Sequence, residues 1–330
     1  MLKKRINLFI HPGYRKTGTT FLQEKIFNEI NLINLGKPFI GKDTEKLNLL
    51  HRKIFQAKYS FDRFYPINYS HSIRNYVNEL ARIIHNTEKI DFILSDECIF
   101  DNMLYFGYFN FYLLKEIIDL LKLKYDLNIK FIISIRKQHE ILVSTYAFNY
   151  VILKKRFNSL NHFLNEVLND SDLIEIYQYD ILIEKLKKNF DTKILVLPVE
   201  ELENGCVPLI KIKEFLNLKF IKMPSNNIKI NQNSNFIDNK KIYYLRSYDF
   251  RGFFYEKISN LHNSLKKFQI YEKNFNYFKI FKKLIIPKIS QKNHLQLNDS
   301  QIKEIQQHFK KSNQNLEKIT NLELKKLGYY

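Results

Sequence analysis

Two glycines and a run of threonines follow the first apolar segment of the chain. The segment RINLFI at residues 5–10 leads directly into HPGYRKTGTTFLQ at residues 11–23. A glycine-containing turn between a strand and a helix lets consecutive backbone N–H groups point at one anion, and the helix dipole adds to the attraction. We therefore predict an anion-binding loop. Its predicted ligands are the N–H groups of Gly18, Thr19 and Thr20 and the ammonium of Lys16.

This loop matches a nucleoside triphosphate loop only in part. In the pattern G-x-x-x-x-G-K-[S/T], Gly13, Gly18 and Thr20 fit, but Thr19 stands at the position of the essential lysine. The lysine is instead Lys16, which comes before the second glycine. A triphosphate site uses its lysine on the β- and γ-phosphates and its hydroxyl on magnesium. The displaced lysine favours a different anion, and the pattern does not call for a metal.

A second anion site is predicted where another apolar segment ends. Arg136 directly follows KFIISI at residues 130–135, and Ser144 lies eight residues later on a predicted helix. An arginine at a strand end and a hydroxyl two helical turns further on can converge on one phosphate, because the guanidinium supplies a charge-assisted fork. We interpret the two residues as a phosphate-binding pair.

Both patterns resemble those of sulfotransferases that use 3′-phosphoadenosine 5′-phosphosulfate (PAPS), in particular bacterial members that act on carbohydrates. The Lys-Thr-Gly-Thr-Thr turn resembles the family's 5′-phosphosulfate loop, with Arg15 at a position that usually holds proline. Arg136 and Ser144 resemble the pair that binds the 3′-phosphate. The resemblance implies PAPS as co-substrate, no metal, and sulfuryl transfer to a hydroxyl of a carbohydrate, glycolipid or surface polysaccharide. The loop ligands it implies are Arg15, Lys16, Thr17, Gly18, Thr19 and Thr20.

Sulfuryl transfer needs a base for the acceptor hydroxyl and a cation for the bridging oxygen of the leaving phosphate. Lys16 is the predicted cation. The segment IDFILS at residues 90–95 is followed by Asp96 and Glu97, at the sheet edge where open α/β proteins bind ligands. The position of Glu97 resembles that of a carboxylate base in several carbohydrate sulfotransferases. His11, beside the loop, is the alternative base.

The resemblance extends towards the carboxyl end of the chain. The sequence KINQNSNF at residues 229–236 resembles a polar loop of bacterial members. This implies nucleotide contacts from Asn231 and Ser234, and a surface turn is the alternative interpretation. Ser312 and Asn313 resemble a Ser-Asn pair that precedes the last helix of those members.

The hydrophobic pattern predicts the elements that position these residues. Short runs rich in Ile, Val and Phe, at 5–10, 90–95, 130–135 and 192–198, alternate with stretches of helical period. This predicts an α/β fold in three layers, with a central parallel sheet flanked by helices, which the resemblance identifies as P-loop-like. We expect one domain over 1–330, because no Gly/Ser linker divides the chain. The expected acceptor-side insertions or cap lie at 31–88 and 237–293.

Composition and charge narrow the classes of partner. With 45% apolar and 26% charged residues, the chain is neither disordered, collagenous nor a membrane channel. The formal net charge is +19, and residues 240–292 hold 13 basic and 3 acidic side chains among many aromatics. We interpret this segment as a helical, basic cap that suits an acidic glycan or an anionic membrane surface, and nucleic acid is not an expected partner. Two cysteines and no long apolar run predict a cytoplasmic protein, able to rest on the inner membrane face.

Two other functions stay open from the residues alone. The sequence ILSDE also resembles the acidic strand end that holds magnesium in kinases and other nucleoside triphosphatases, which would make the chain a P-loop enzyme acting on a small molecule. The basic, aromatic segment 240–292 on its own would suit a module that binds membranes or nucleic acid.

Overall fold

The computed structural model describes most of the chain, and its described residues fall into two compact units. The described residues are 3–14, 16–27, 32–37, 44–56, 69–101, 109–154, 156–203, 206–217, 234–237, 240–245 and 294–330. The first unit comprises Met1–Ile141, Glu166–Asn231 and Ser300–Tyr330, and the second comprises Leu142–Asn165 and Gln232–Asp299. That the two units form the single domain expected from the sequence stays a prediction.

A five-stranded parallel sheet forms the centre of the first unit. Its strands are β1 (Arg5–His11), β2 (Ile33–Asn34), β3 (Asp91–Ser95), β4 (Asp126–Ile135) and β5 (Lys193–Pro198). Their order is β2-β3-β1-β4-β5, with every pair parallel. The expected α/β class and central parallel sheet are confirmed, as are the four predicted strands. The strand β2 has only two residues, too few to leave a pattern in the sequence.

Helices cover both faces of this sheet. On β4, Ile132 belongs to a buried apolar cluster with Ile26 and Ile212, whereas its neighbour Phe131 points to the other face and meets the Phe190 ring at 5.2 Å. Burial of both faces explains why the strands are apolar throughout. Among the helices of the described residues, none combines the length and the apolar content that crossing a bilayer requires.

In chain order the helices are α1 (Thr19–Phe21, continued as a π-helix over Leu22–Phe27), α2 (Glu45–His51, continued as a π-helix over Arg52–Gln56), α3 (Tyr69–His85), α4 (Cys98–Asp101), α5 (Phe109–Lys124), α6 (Gln138–Phe148), α7 (Tyr150–Leu153), α8 (Leu160–Asn169), α9 (Ser171–Glu175), α10 (Tyr179–Phe190), α11 (Val199–Glu203), α12 (Cys206–Leu216) and α13 (Asp299–Thr320).

The second unit contains a small antiparallel sheet. Its strands are β6 (Ser234–Ile237), β7 (Lys240–Tyr244) and β8 (His294–Leu295), in that order. A helical cap was expected over residues 240–292, but Lys240–Tyr244 is a strand, because its Ile and Tyr side chains suit a sheet that buries Ile242 and Tyr243. Residues 246–292 of that segment lie outside the described residues.

Candidate functional site at the carboxyl edge of the sheet

The loop between β1 and α1 has an unusual backbone. Lys16 and Gly18 both have positive φ, at 68° and 77°, and Gly18 is the residue that caps α1 at its start. Between them, Thr17 is fully buried and its hydroxyl donates to the carbonyl oxygen of Tyr14 at 2.6 Å, which closes the turn. A lysine in the left-handed region of backbone conformation is uncommon, and such residues cluster at active sites and ligand-binding loops. Thr19 is buried and Thr20 is exposed.

Arg136 follows the last residue of β4 and contacts this loop directly. Its Nη1 donates to the carbonyl oxygen of Lys16 at 3.0 Å. Its Nε and Nη2 lie 2.9 and 2.6 Å from Oε2 of Glu140, one turn along α6. The Tyr179 hydroxyl donates to the Arg136 carbonyl oxygen at 2.8 Å. The predicted loop and the predicted arginine are therefore neighbours in one site, and the guanidinium is held by groups on both sides.

His11 lies beneath the loop and is fully buried. Its Nδ1 is 2.8 Å from the Ser95 hydroxyl at the end of β3, and its Nε2 is 3.4 Å from the Ser134 hydroxyl near the end of β4. Burial lowers the pKa of His11 to about 3, although the charge of Asp96 acts in the opposite direction. The imidazole is therefore neutral at pH 7 and joins three neighbouring strands.

The two carboxylates after β3 have different surroundings. Asp96 is fully buried, and His51 Nε2 lies 2.6 Å from its Oδ2. Glu97 is 19% exposed and accepts a hydrogen bond from Gln23 Nε2 at 3.2 Å. Lys37 Nζ joins the two carboxylates, at 3.0 Å from Asp96 Oδ1 and 3.1 Å from Glu97 Oε1. Of the pair, Glu97 is the carboxylate that reaches solvent.

A tight turn after β2 brings Lys37 to these carboxylates. The Asn34 side chain accepts from the Gly36 N–H at 2.9 Å and donates to the Lys37 carbonyl oxygen at 3.1 Å, while the Lys37 N–H donates to the Ser95 carbonyl oxygen at 2.7 Å. A Cβ on Gly36 would lie 2.2 Å from that same oxygen. Only glycine fits here, because the turn packs directly on the backbone of β3.

Lys37, His51 and Tyr76 come from the segment 31–88, in which the sequence shows no motif. The Tyr76 hydroxyl lies 2.9 Å from His51 Nδ1 and so extends the line of contacts from Asp96 into the core. Burial raises the pKa of Tyr76 well above its ordinary value, and the Asp96 charge adds to this. The Asn-Leu-Gly-Lys sequence is a turn signal that could have indicated the position of Lys37. No comparable signal marks His51 or Tyr76.

Four further residues were predicted to bind the nucleotide. Arg15 and Asn231 are not among the described residues. Ser144 is buried on α6 and Ser234 begins the strand β6 instead of lying in a loop, and both belong to the second unit. Their contacts with a nucleotide stay predictions.

The pair Ser312–Asn313 was expected to precede the last helix. It lies instead in the middle of α13. Both residues are buried, and their side chains hydrogen bond to Asp180 and Gln138, respectively. A polar pair inside a helix is stable here because buried partners satisfy it.

No protein-family model matches the chain, and none of the curated proteins is significantly similar to it.

Proposed function

We propose that this chain is a PAPS-dependent sulfotransferase that transfers a sulfuryl group to a hydroxyl of a carbohydrate or glycolipid acceptor. One observation carries the proposal, the 3.0 Å hydrogen bond from Arg136 Nη1 to the carbonyl oxygen of Lys16. The two residues are assigned to opposite ends of one nucleotide, Lys16 to the 5′-phosphosulfate and Arg136 to the 3′-phosphate. Such an assignment requires that both residues belong to one site, and the contact supports this.

The strand order supports a P-loop type of fold. The strands β2 and β3 lie on one side of β1, and β4 and β5 lie on the other. Open α/β sheets bind ligands outside the carboxyl ends of the strands, at the point where the order reverses. In this chain that point is the end of β1, where the loop with Lys16 and Gly18 begins.

We assign the base to Glu97 and not to His11. In the proposed reaction the acceptor oxygen bonds to sulfur, the bond from sulfur to the bridging phosphate oxygen breaks, and the acceptor proton passes to Glu97. The Glu97 carboxylate suits this role because it is partly exposed and is held by Gln23 and Lys37. A neutral, fully buried imidazole with a pKa lowered to about 3 is a weak base. Lys16 would stabilise the charge left on the departing phosphate.

The first test compares two nucleotides that differ only in the 3′-phosphate. Isothermal titration calorimetry measures the binding of 3′,5′-adenosine bisphosphate and of 5′-AMP to the parent chain and to Lys16→Ala and Arg136→Ala. Each charge-assisted contact is worth at least about a factor of ten in Kd. Lys16→Ala should weaken the binding of both nucleotides, whereas Arg136→Ala should weaken that of the bisphosphate more than that of 5′-AMP, which senses only the contact between Arg136 and the loop. The matched control is Arg82→Ala, since Arg82 is also paired with a glutamate close to it in the sequence, Glu79.

The outcomes separate the candidate functions. Equal affinity of the parent chain for the two nucleotides, or an equal loss for both in Arg136→Ala, would contradict the 3′-phosphate assignment. Magnesium-dependent ATP turnover would instead favour the kinase interpretation. With PAPS and a panel of glycans, the parent chain should release the bisphosphate. Glu97→Gln should lower that turnover, because the amide is not a base.

A further inference from the structure

Five buried polar side chains form an unbroken line from Glu97 to the anion-binding loop. Gln23 Nε2 lies 3.2 Å from Glu97 Oε2 and 3.1 Å from the Ser95 hydroxyl, which is 2.8 Å from His11 Nδ1. On the other side of the ring, the Ser134 hydroxyl lies 3.4 Å from His11 Nε2 and 2.8 Å from the Thr17 hydroxyl. The members of the line are Gln23, Ser95, His11, Ser134 and Thr17, each at most 5% exposed.

The loop end of this line sets the direction of its protons. Thr17 has one hydroxyl proton, which it donates to the carbonyl oxygen of Tyr14. It must therefore accept from Ser134, whose only hydroxyl proton is then used. The proton in the hydrogen bond between His11 Nε2 and the Ser134 hydroxyl oxygen must therefore come from the nitrogen. His11 is thus the donor at Nε2.

The Glu97 end leads to the same assignment. The Glu97 carboxylate only accepts, and so does the Tyr14 carbonyl, so some group between them must donate in both directions. Gln23 has that capacity, because its amide carries two protons and one nitrogen contacts both Glu97 and Ser95. Ser95 then accepts from Gln23 and donates to Nδ1 of the neutral His11.

We propose that His11 is a positioning residue that joins the loop to Glu97, and that it does so only as the tautomer protonated at Nε2. The roles of the two ends rest on the proposed function, whereas the direction of the line does not. Gly13 leaves room for the contact between Ser134 and His11, because a Cβ there would lie 3.0 Å from the Ser134 hydroxyl oxygen and 3.1 Å from His11 Nε2. The charged group that acts on the His11 ring is Asp96. The Phe27 ring packs edge-on against the His11 ring, with 5.2 Å between the ring centroids.

The test is nitrogen NMR of the chain labelled with ¹⁵N-histidine. The chain has nine histidines, and the His11 signals are those missing from His11→Gln. In the parent chain we expect one proton on Nε2 and none on Nδ1, unchanged between about pH 5 and pH 8. A proton on Nδ1, or an imidazolium that titrates within this range, would overturn the inference.

A variant at the far end of the line provides the sharper test. Thr17→Val keeps the shape of the side chain but removes the acceptor of the Ser134 proton, and on its own it should leave the ring proton on Nε2, because Ser95 still donates to Nδ1. Thr17→Val combined with Ser95→Ala removes both constraints, so that the form protonated at Nδ1 should become detectable. Ser312→Ala, which removes a buried hydroxyl outside the line, should leave the His11 tautomer unchanged. A ring proton on Nδ1 in Thr17→Val alone would overturn the inference, as would a double variant in which Nδ1 stays fully unprotonated. Ser134→Ala, in which Ser95 also still donates to Nδ1, should keep the proton on Nε2 and serves in place of Thr17→Val should that variant not fold.

Failure of this inference is distinguishable from failure of the proposed function, because the NMR experiment needs neither nucleotide nor acceptor. If the tautomer behaves as described while 3′,5′-adenosine bisphosphate does not bind, the role of His11 in the line of contacts is supported and the proposed activity is contradicted. If the bisphosphate binds and the tautomer is the other one, the activity stands and the role of His11 as described here is wrong.

Discussion

The two halves of the carboxyl edge are built in different ways. At the end of β1, the turn of the loop is closed locally: the Thr17 hydroxyl donates to the Tyr14 carbonyl oxygen, and Gly18 adopts a positive φ. At the end of β3, Asp96 is held by Lys37 and His51, which lie 59 and 45 residues away along the chain. A local turn leaves a motif in the sequence, whereas a cluster assembled from distant segments does not.

The two halves also differ in what their charges contact. Arg136 beside the loop is 12% exposed and shares its donors between a carbonyl oxygen and one carboxylate. Asp96 is fully buried between an ammonium and an imidazole. Removing Asp96 takes a fully buried carboxylate oxygen from the fully buried His51 ring, and breaking a buried contact of this kind costs more than removing a contact at a partly exposed site. We therefore expect the β3 half to dominate stability and the loop half to dominate ligand binding.

The largest effect is expected for Asp96→Ala. It leaves Lys37 and His51 without the carboxylate that they share, and we expect a loss of about 3 to 5 kcal/mol in the free energy of unfolding. Urea unfolding measures the loss. Asp180→Ala is the matched control, since Asp180 is also buried but is held by Ser312 and Asn315, which are uncharged. Its expected cost is about 1 to 3 kcal/mol, and an equal cost for the two variants would contradict the contrast.

A pair of glycine variants sharpens the comparison. Gly36→Ala places a Cβ 2.2 Å from the Ser95 carbonyl oxygen, whereas in Gly13→Ala the shortest contact is 2.7 Å, to the Thr19 methyl group. Backbone cannot give way as a side chain can, so we expect Gly36→Ala to cost about 1 to 3 kcal/mol and Gly13→Ala to cost less. Thermal unfolding of the two variants decides the order, and the reverse order would show that the loop is the more tightly packed half.

The sequence predicts the local part of this site and misses the part that depends on the path of the chain. The loop, Arg136 and Glu97 stand next to apolar strands, so period and composition indicate where they lie. Lys37 and His51 reach Asp96 only because β2 pairs with β3 and α2 packs near the strand end. A two-residue strand is too short to show a hydrophobic period in the sequence. A lysine or histidine in a stretch of helical period cannot be told from the other lysines and histidines of the chain. The same holds for the contact between Thr17 and Ser134, 117 residues apart.

Glu200 offers a smaller test through pH. Burial raises the pKa of Glu200 and the charge of Glu140 adds to this, although Lys137 and the Tyr329 hydroxyl oppose it. A raised pKa in the folded state contributes stability below the unfolded pKa that is lost as pH rises through the folded value. From about pH 4.5 to pH 7 the parent chain should lose stability relative to Glu200→Gln, which keeps an acceptor for Tyr329. Urea midpoints over this range measure the difference, and a parent chain that gains stability would contradict it.

The smallest effect tests the loop half through its ligand. Glu140 contacts Arg136 through two donors and offsets its charge, so Glu140→Gln keeps an oxygen acceptor while one negative charge is lost. We expect 3′,5′-adenosine bisphosphate to bind about two- to fivefold more tightly, because a partly exposed ion pair is worth up to about 1 kcal/mol. Binding of 5′-AMP should not change, since Arg136 is assigned to the 3′-phosphate. Weaker binding of the bisphosphate would show that Glu140 serves mainly to hold the guanidinium in place, and an equal gain for both nucleotides would place Arg136 near the phosphate that they share.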